Sequence, residues 1–225
     1  MKSKKWPVIL LTMLYCSILN AQNYDFGIWT SASLSFKILP KLKASVEEEF
    51  RLRDKSGSID RFESTLDLSY KFNKYISASG GYVLINYNHP EKSWETRHRF
   101  YLDAQGEYSF CRFKIGLRER FQSTYRVGIS RTENRANPKF YLRSRILGSY
   151  DIRKSGFSPF GSVELYYTLN DPQENNFNKI RYTIGTKYRI DKKSVLSLYY
   201  RYVAGTDYED IEGVSISGLS YSFTF

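Results

Sequence analysis

The feature that most constrains this chain is a two-residue alternation, carried through segments of roughly 10 to 13 residues, that sorts almost every charge to one side. In residues 61–72, Phe62, Ser64, Leu66, Leu68, Tyr70 and Phe72 form one face, and Arg61, Glu63, Thr65, Asp67, Ser69 and Lys71 form the other. Residues 97–108 repeat the arrangement: His98, Phe100, Leu102, Ala104, Gly106 and Tyr108 oppose Arg97, Arg99, Tyr101, Asp103, Gln105 and Glu107. Residues 25–38 set Phe26, Ile28, Thr30, Ala32, Leu34, Phe36 and Ile38 against Gly27, Trp29 and a run of serines. A period of two is the signature of a β-strand with unlike faces. The length decides the rest, because strands of soluble sandwiches run to about 5 or 6 residues, whereas a tilted strand crossing a bilayer needs about 9 to 11.

Eight further segments follow the same rule: 42–53, 76–87, 113–125, 140–152, 159–170, 180–190, 194–203 and 213–225. Across all of them only Glu48 and Glu119 put an Asp, Glu, Lys or Arg on the proposed outward face. An Arg or Lys facing hydrocarbon at mid-depth costs about 2 to 4 kcal/mol and a carboxylate somewhat less, so a membrane barrel must send its charges to the lumen or the loops. A β-bulge that re-aims one side chain, or an error of phase, would remove either exception.

Connections alternate in length. Short ones fall at 40–41, 73–75, 109–112, 153–158 and 191–193, and long ones at 54–60, 88–96, 126–137, 171–178 and 204–212. Short turns face the periplasm and long loops face outside in barrels of this type. The expectation is an all-β, antiparallel, up-and-down transmembrane barrel with a polar, charge-rich lumen. Eleven segments are visible, yet single-chain bacterial barrels have even strand numbers. Twelve strands are therefore expected, with ten as the alternative, through a strand hidden in 22–38 or a segment that is not part of the wall. Aromatics near strand ends, among them Trp29, Tyr75, Tyr87, Trp94, Tyr108, Tyr125, Tyr150 and Tyr188, would supply interfacial girdles.

Residues 1–21 read as a cleaved export signal: Lys2, Lys4 and Lys5 precede an apolar core from Val8 to Leu19, and Ala21 ends a cleavage site. The core is too short for a spanning helix. Bulky Tyr15 before Cys16 argues against lipidation, so residues 22–225 form a single domain with Cys111 as its one cysteine and no intrachain disulfide. The net charge of +11 falls to +8 without the signal, which carries three lysines and no acid. Nucleic acid is a poor partner for that charge, because the basic residues are spread over strand faces of an exported chain.

The chain ends Leu219-Ser220-Tyr221-Ser222-Phe223-Thr224-Phe225. This resembles the C-terminal signature through which the barrel-assembly machinery recognises outer-membrane proteins. The opening Asp25-Phe26-Gly27-Ile28-Trp29-Thr30, together with Arg97-His98-Arg99, Leu117-Arg118-Glu119-Arg120-Phe121, Tyr141-Leu142-Arg143-Ser144-Arg145 and Asn178-Lys179-Ile180-Arg181-Tyr182 followed by Gly185, resembles the domain-of-unknown-function 2490 family of outer-membrane proteins. The Ala21-Gln22 junction is similar to export signals of Bacteroidota. The resemblance implies the barrel architecture and a bacterial outer-membrane location, with outer-membrane lipids and the assembly machinery as partners. It implies no activity.

The constellation that carries chemistry is a ladder of inward charges: Glu47, Glu49, Arg51, Arg53, Glu63, Asp67, Arg97, Arg99, Asp103, Glu107, Arg118, Arg120, Arg143, Arg145, Glu164, Arg181, Lys187 and Arg201. Arginine pairs carboxylates bidentately, so the ladder would either fill a narrow barrel as a structural network or form a cationic constriction selecting small anions. The alternative is an enzyme modifying lipid or lipopolysaccharide, which needs a nucleophile and a base at the rim. Only His89 and His98 are available, and no serine near either stands out as a partner. Two histidines and one mature cysteine leave no zinc site, and Asp207, Glu209, Asp210 and Glu212 read as a solvated acidic loop rather than a calcium site. No cofactor and no catalytic residue is expected.

Overall fold

A computed structural model of the chain describes residues 24–91, 93–133, 135–205 and 213–225. The expected export signal and the acidic loop around Asp207 lie outside the described residues. Eleven strands follow in order: β1 (Tyr24–Leu39), β2 (Leu42–Arg53), β3 (Ser58–Lys71), β4 (Ile76–Asn88), β5 (Trp94–Phe110), β6 (Phe113–Arg126), β7 (Lys139–Tyr150), β8 (Phe157–Thr168), β9 (Phe177–Arg189), β10 (Ser194–Ala204) and β11 (Gly213–Thr224). Each pairs with its neighbours in sequence, and β1 returns to β11 to close the barrel.

The strand number corrects the sequence expectation. Twelve was expected and ten was the alternative, but residues 24–39 form one continuous strand and all eleven segments are wall strands. With an odd number the first and last strands run the same way, so β1 and β11 pair in parallel, from Tyr24 opposite Gly213 to Ser35 opposite Thr224. A parallel pair satisfies backbone donors and acceptors as an antiparallel one does, with slanted bonds. The seam is therefore a complete ladder, and parity alone cannot forbid it. Inside the barrel, Ser31 and Ser33 hydroxyls donate across it to Ser220 and Ser222, each at 2.9 Å.

The polarity of the wall is inverted relative to a soluble protein. Leu102 and Ile184 point outward at 66% and 65% exposure, whereas Glu164 and Asp103 are 3% and 5% exposed within. A belt of outward Leu, Ile, Val, Phe and Tyr encircles the wall, far beyond the few hundred Å² of contiguous apolar surface usual on a water-soluble monomer. Outward aromatics pair at the short-turn end, as in Phe36–Phe225 at 4.7 Å, Phe113–Tyr150 at 4.7 Å and Phe157–Tyr188 at 4.6 Å between ring centres. At the long-loop end Phe50 meets Phe62 at 5.0 Å and Phe62 meets Trp94 at 5.9 Å. Trp29 and Tyr87 do not join the girdles. Both face the lumen and are buried, because their parity is that of the charged positions and their rings lie beneath arginines.

Glu48 and Glu119 keep their outward places. The register shifts in the two ladders of β2 fall elsewhere, at the Lys37/Leu39 step of β1 and the Arg51/Leu52 step of β2, and β6 pairs without interruption on both sides. Neither a bulge nor a phase error accounts for them.

Candidate functional site

The lumen holds two charged clusters that meet at Trp29. The first stands on β2, β3 and β5, towards the long loops. Glu63 is its centre: Arg99 Nη1 donates to Oε2 at 3.1 Å, while Arg51 and Arg61 approach Oε1 at 3.3 and 3.6 Å. Arg51 also pairs with Glu49. Above them Arg61 pairs with Asp60 at 2.7 Å and Arg97 with Glu95 at 2.9 Å, and the Arg97 guanidinium lies 3.8 Å over the Tyr87 ring. Arg53 reaches Asp54 at 3.3 Å and Asp60 at 3.7 Å.

The second cluster stands on β5 to β9. Glu164 Oε1 accepts from Arg118 and from Arg143, the latter at 2.9 Å, and Oε2 accepts from Arg181 at 3.3 Å. Arg143 spends another donor on Gln122 at 2.7 Å. Beside it Arg120 grips Asp103 through two hydrogen bonds and lies 3.8 Å over Tyr101, whose hydroxyl donates to Asp67 at 2.7 Å. Trp29 joins the clusters across the barrel, with guanidinium carbons of Arg51, Arg201 and Arg181 at 3.7, 5.0 and 5.6 Å from its ring centre. Cation–π contacts of this kind contribute about 0.5 to 2 kcal/mol, more as water is removed.

The two sectors differ in balance. Around Glu164, Asp103 and Asp67 stand Arg118, Arg120, Arg143, Arg145 and Arg181, five cations against three acids. Arg145 lies directly opposite Glu164 in the β7–β8 register, yet forms no ion pair within 4 Å among the described residues. Below it, towards the short turns, a cavity of about 290 Å³ is lined by Lys71, Lys74, Lys114, Arg118, Arg145 and Lys187, with Glu107 as its one acid. Glu107 is taken by Lys114 at 2.9 Å. Buried Nε–H groups of Arg97, Arg99, Arg118 and Arg181 have no acceptor among the described residues.

Of the residues expected from sequence, Glu49, Arg51, Arg53, Arg97 and Arg99 enter the first cluster and Asp103, Arg118, Arg120, Arg143, Glu164 and Arg181 the second. Glu47 faces inward without an ion pair within 4 Å among the described residues, and Arg145 stands apart in the same way. Asp60 and Glu95 were missed as ladder members because they fall in segments read as loops; β3 starts at Ser58 and β5 at Trp94, which puts both in the wall, and the register shift between Arg51 and Leu52 turns Asp60 inward against the parity of Phe62. Tyr101 is inward by parity in the sequence, whereas Trp29 and Tyr87 were expected in the girdles; Trp29 and Tyr166 share the parity of polar inward neighbours on their own strands, the signal that could have placed them. The inner face of β4 carries no charge to mark it, and there Val83 and Ile85 are buried against Tyr101 and Tyr87.

His98 faces outward and its Nδ1 lies 2.7 Å from the Tyr82 hydroxyl; His89 Nε2 is 4.0 Å from Glu95. Among the described residues no group of three His, Cys, Asp or Glu is placed to hold a metal ion.

A closed eleven-stranded wall, apolar outside and lined with arginine inside, defines an inside-out β-barrel. Within it, residues 26–208 match the profile of a protein family of unknown function, DUF2490, and the chain belongs to that family. No curated protein sequence matches it. Among solved structures it is similar to the NanC porin, at TM-score 0.57 and 13% identity over 89% of this chain and 99% of that one. It is also similar to LpxR from Salmonella typhimurium, at TM-score 0.54 and 10% identity over 86% and 87%. Both likenesses are likenesses of fold.

Proposed function

We propose that the chain spans the bacterial outer membrane, long loops outward, as a narrow arginine-lined pore that favours small anions. The observation that carries this reading is the surplus of cations around Glu164. A purely structural network gains most when each buried charge is matched, since an unmatched one pays desolvation without return. Here Arg145 and Lys187 are left without a carboxylate, next to a cavity that is itself basic. Unspent guanidinium donors on Arg118 and Arg181 add hydrogen-bonding capacity that the protein does not use. Rings of Arg or Lys raise local anion concentration and exclude cations. Placement in the membrane is supported by the outward apolar belt with its aromatic ends, and by the export signal expected at residues 1–21. The terminal strand ending in Phe225 suits recognition by the assembly machinery.

The test is single-channel recording in planar bilayers under a salt gradient. The wild-type barrel is expected to give a small conductance with a reversal potential on the anion side, and Arg145→Glu with Lys187→Glu is expected to move it towards zero or past it. A folded barrel that conducts nothing, or that prefers cations, overturns the reading.

A further inference from the structure

Glu48 and Glu119 break the sorting rule in the same way. Across the wall Glu48 lies in the row Ala32, Glu48, Ser64, Leu84 on β1 to β4. Four strands on, Glu119 lies in the row Ala104, Glu119, Ser144, Leu165 on β5 to β8. The order of residue types is identical, and each glutamate is the seventh residue of its strand. In each row the serine hydroxyl donates to Oε2 of the glutamate at 2.7 Å, and both glutamates are exposed on the outer face. One aromatic, Phe50 or Phe121, stands one outward position nearer the long loops. Two chance exceptions to the rule would not share depth, donor and small neighbour.

Their depth follows from strand geometry. A strand rises about 3.3 Å per residue, and at a tilt near 40° each outward step of two residues climbs about 5 Å. Ser64 is three such steps above Tyr70, in the short-turn girdle, and one below Phe62, in the long-loop girdle. Ser144 is likewise three above Tyr150 and two below Phe140. Both rows therefore sit roughly 5 to 10 Å beneath the long-loop girdle, at the depth of the first carbons of an outer-leaflet acyl chain. A carboxyl there has lost water and needs a donor. The serine supplies one; Oε1 of each glutamate has none among the described residues, and the alanine beside it leaves room.

We propose that these rows are two lipid-binding notches, each taking the hydroxyl or amide group carried near the head of an acyl chain of an outer-leaflet amphiphile. Such a group is the donor that hydrocarbon can deliver to this depth, and its chain would lie along the apolar steps below, Val46 and Leu66 in one notch and Leu117 and Ile146 in the other. The proposal rests on the barrel lying in the outer membrane, and is independent of whether the lumen conducts.

The test uses the mature barrel in bilayer nanodiscs of plain diacyl phosphatidylethanolamine, doped either with an amphiphile bearing a 3-hydroxyacyl amide or with its deoxy ester analogue. Bound lipid is counted by native mass spectrometry after release from the disc. One hydroxylated lipid retained per glutamate, on the order of tenfold over the analogue, is expected from one hydrogen bond to a carboxyl. Glu48→Leu and Glu119→Leu should each remove one, and the double variant both; Glu48→Ala and Glu119→Ala serve the same purpose should a leucine variant lose its heat-modifiable folded band. Equal retention of the analogue, or retention unchanged in the double variant, overturns the proposal. So does a dimer of barrels that the leucine variants abolish, which would give the notches to a second copy of this chain. Failure of the wild-type barrel to enter the disc would instead sink the membrane reading on which the proposal stands.

Discussion

Asp103 and Arg120 face each other across β5 and β6 and meet fork to fork, Nε to Oδ1 at 2.6 Å and Nη2 to Oδ2 at 2.7 Å. The pair is nearly dry, with side chains 2% and 16% exposed, and Tyr101 covers the guanidinium from the lumen side. Removing one member leaves the other charged without a partner, a change that costs about 3 to 5 kcal/mol, whereas replacing both by apolar side chains of similar volume is close to neutral. Asp103→Ala is therefore expected to lower barrel stability by that amount, and Asp103→Leu with Arg120→Met to recover most of it. Urea titration of the heat-modifiable folded band in detergent checks both.

Arg143 and Arg145 are two residues apart on one face of β7 and should behave oppositely. Arg143 is buried and holds Glu164 and Gln122, so Arg143→Ala is expected to cost about 2 to 4 kcal/mol. Arg145 makes no ion pair or hydrogen bond among the described residues, so Arg145→Ala should change stability by less than about 1 kcal/mol while reducing anion preference in a bilayer recording. A large loss of stability from Arg145→Ala would show it to be structural.

The β9–β10 turn contains a carboxylate whose protonation should be readable. Asp191 accepts the amides of Lys193 at 2.6 Å and Ser194 at 2.8 Å, and these hold its carboxyl below the ordinary carboxylate range. A depressed value means that the contribution to the turn is full above the ordinary carboxylate pKa and fades as pH falls through the depressed one. Asp191→Ala is expected to speed amide exchange at Ser194 relative to wild type at neutral pH, with the ratio approaching one in strong acid. A pH-independent ratio would remove the charge from the account.

Two glycines carry the lumenal rings. Gly218 and Gly185 lie on either side of Tyr199, on β11 and β9, and a Cβ on Gly218 would run into the Tyr199 ring. Gly218→Val should therefore force the ring out of its place and lower stability by about 1 to 3 kcal/mol, the range for overpacking, in the same urea assay. Tyr199→Ala in the same chain should restore part of that loss if the clash is the cause.

The wall was legible because its physics is local. An apolar outer surface and a polar interior impose a period of two on every strand, so Phe100 and Leu102 against Arg99 and Asp103 could be sorted by counting residues. The inner constellation was legible as a set of side chains and not as partners. Which arginine takes Glu164 depends on stagger between β6, β8 and β9, and nothing in the order of residues records stagger. Asp60 and Glu95 were hidden for different reasons: Glu95 lies where the outward run of β5 has stopped being apolar, at Thr96 and His98, and Asp60 has the parity of outward Phe62 and turns inward only because the β2–β3 register shifts between Arg51 and Leu52. Glu48 and Glu119 were seen as exceptions, but only the register shows that each has a serine beside it.

Closure was the step at which a general rule displaced the residues. The segments count to eleven, and the even-number expectation turned that into twelve. The structure closes with β1 parallel to β11, which places Ser31 beside Ser220 and Ser33 beside Ser222 on the lumenal side. Two cysteines in that geometry should oxidise readily, since side chains whose Oγ atoms lie 2.9 Å apart need little movement to reach a disulfide. In a Cys111→Ser background, Ser31→Cys with Ser220→Cys is expected to cross-link in the folded barrel under mild oxidant, giving a band that shifts on reduction. Ser31→Cys with Ser222→Cys, one step out of register, should cross-link far more slowly. If the out-of-register pair cross-links as fast, or neither pair does, then β1 does not lie against β11 as described, and a twelfth strand between them becomes the account to beat.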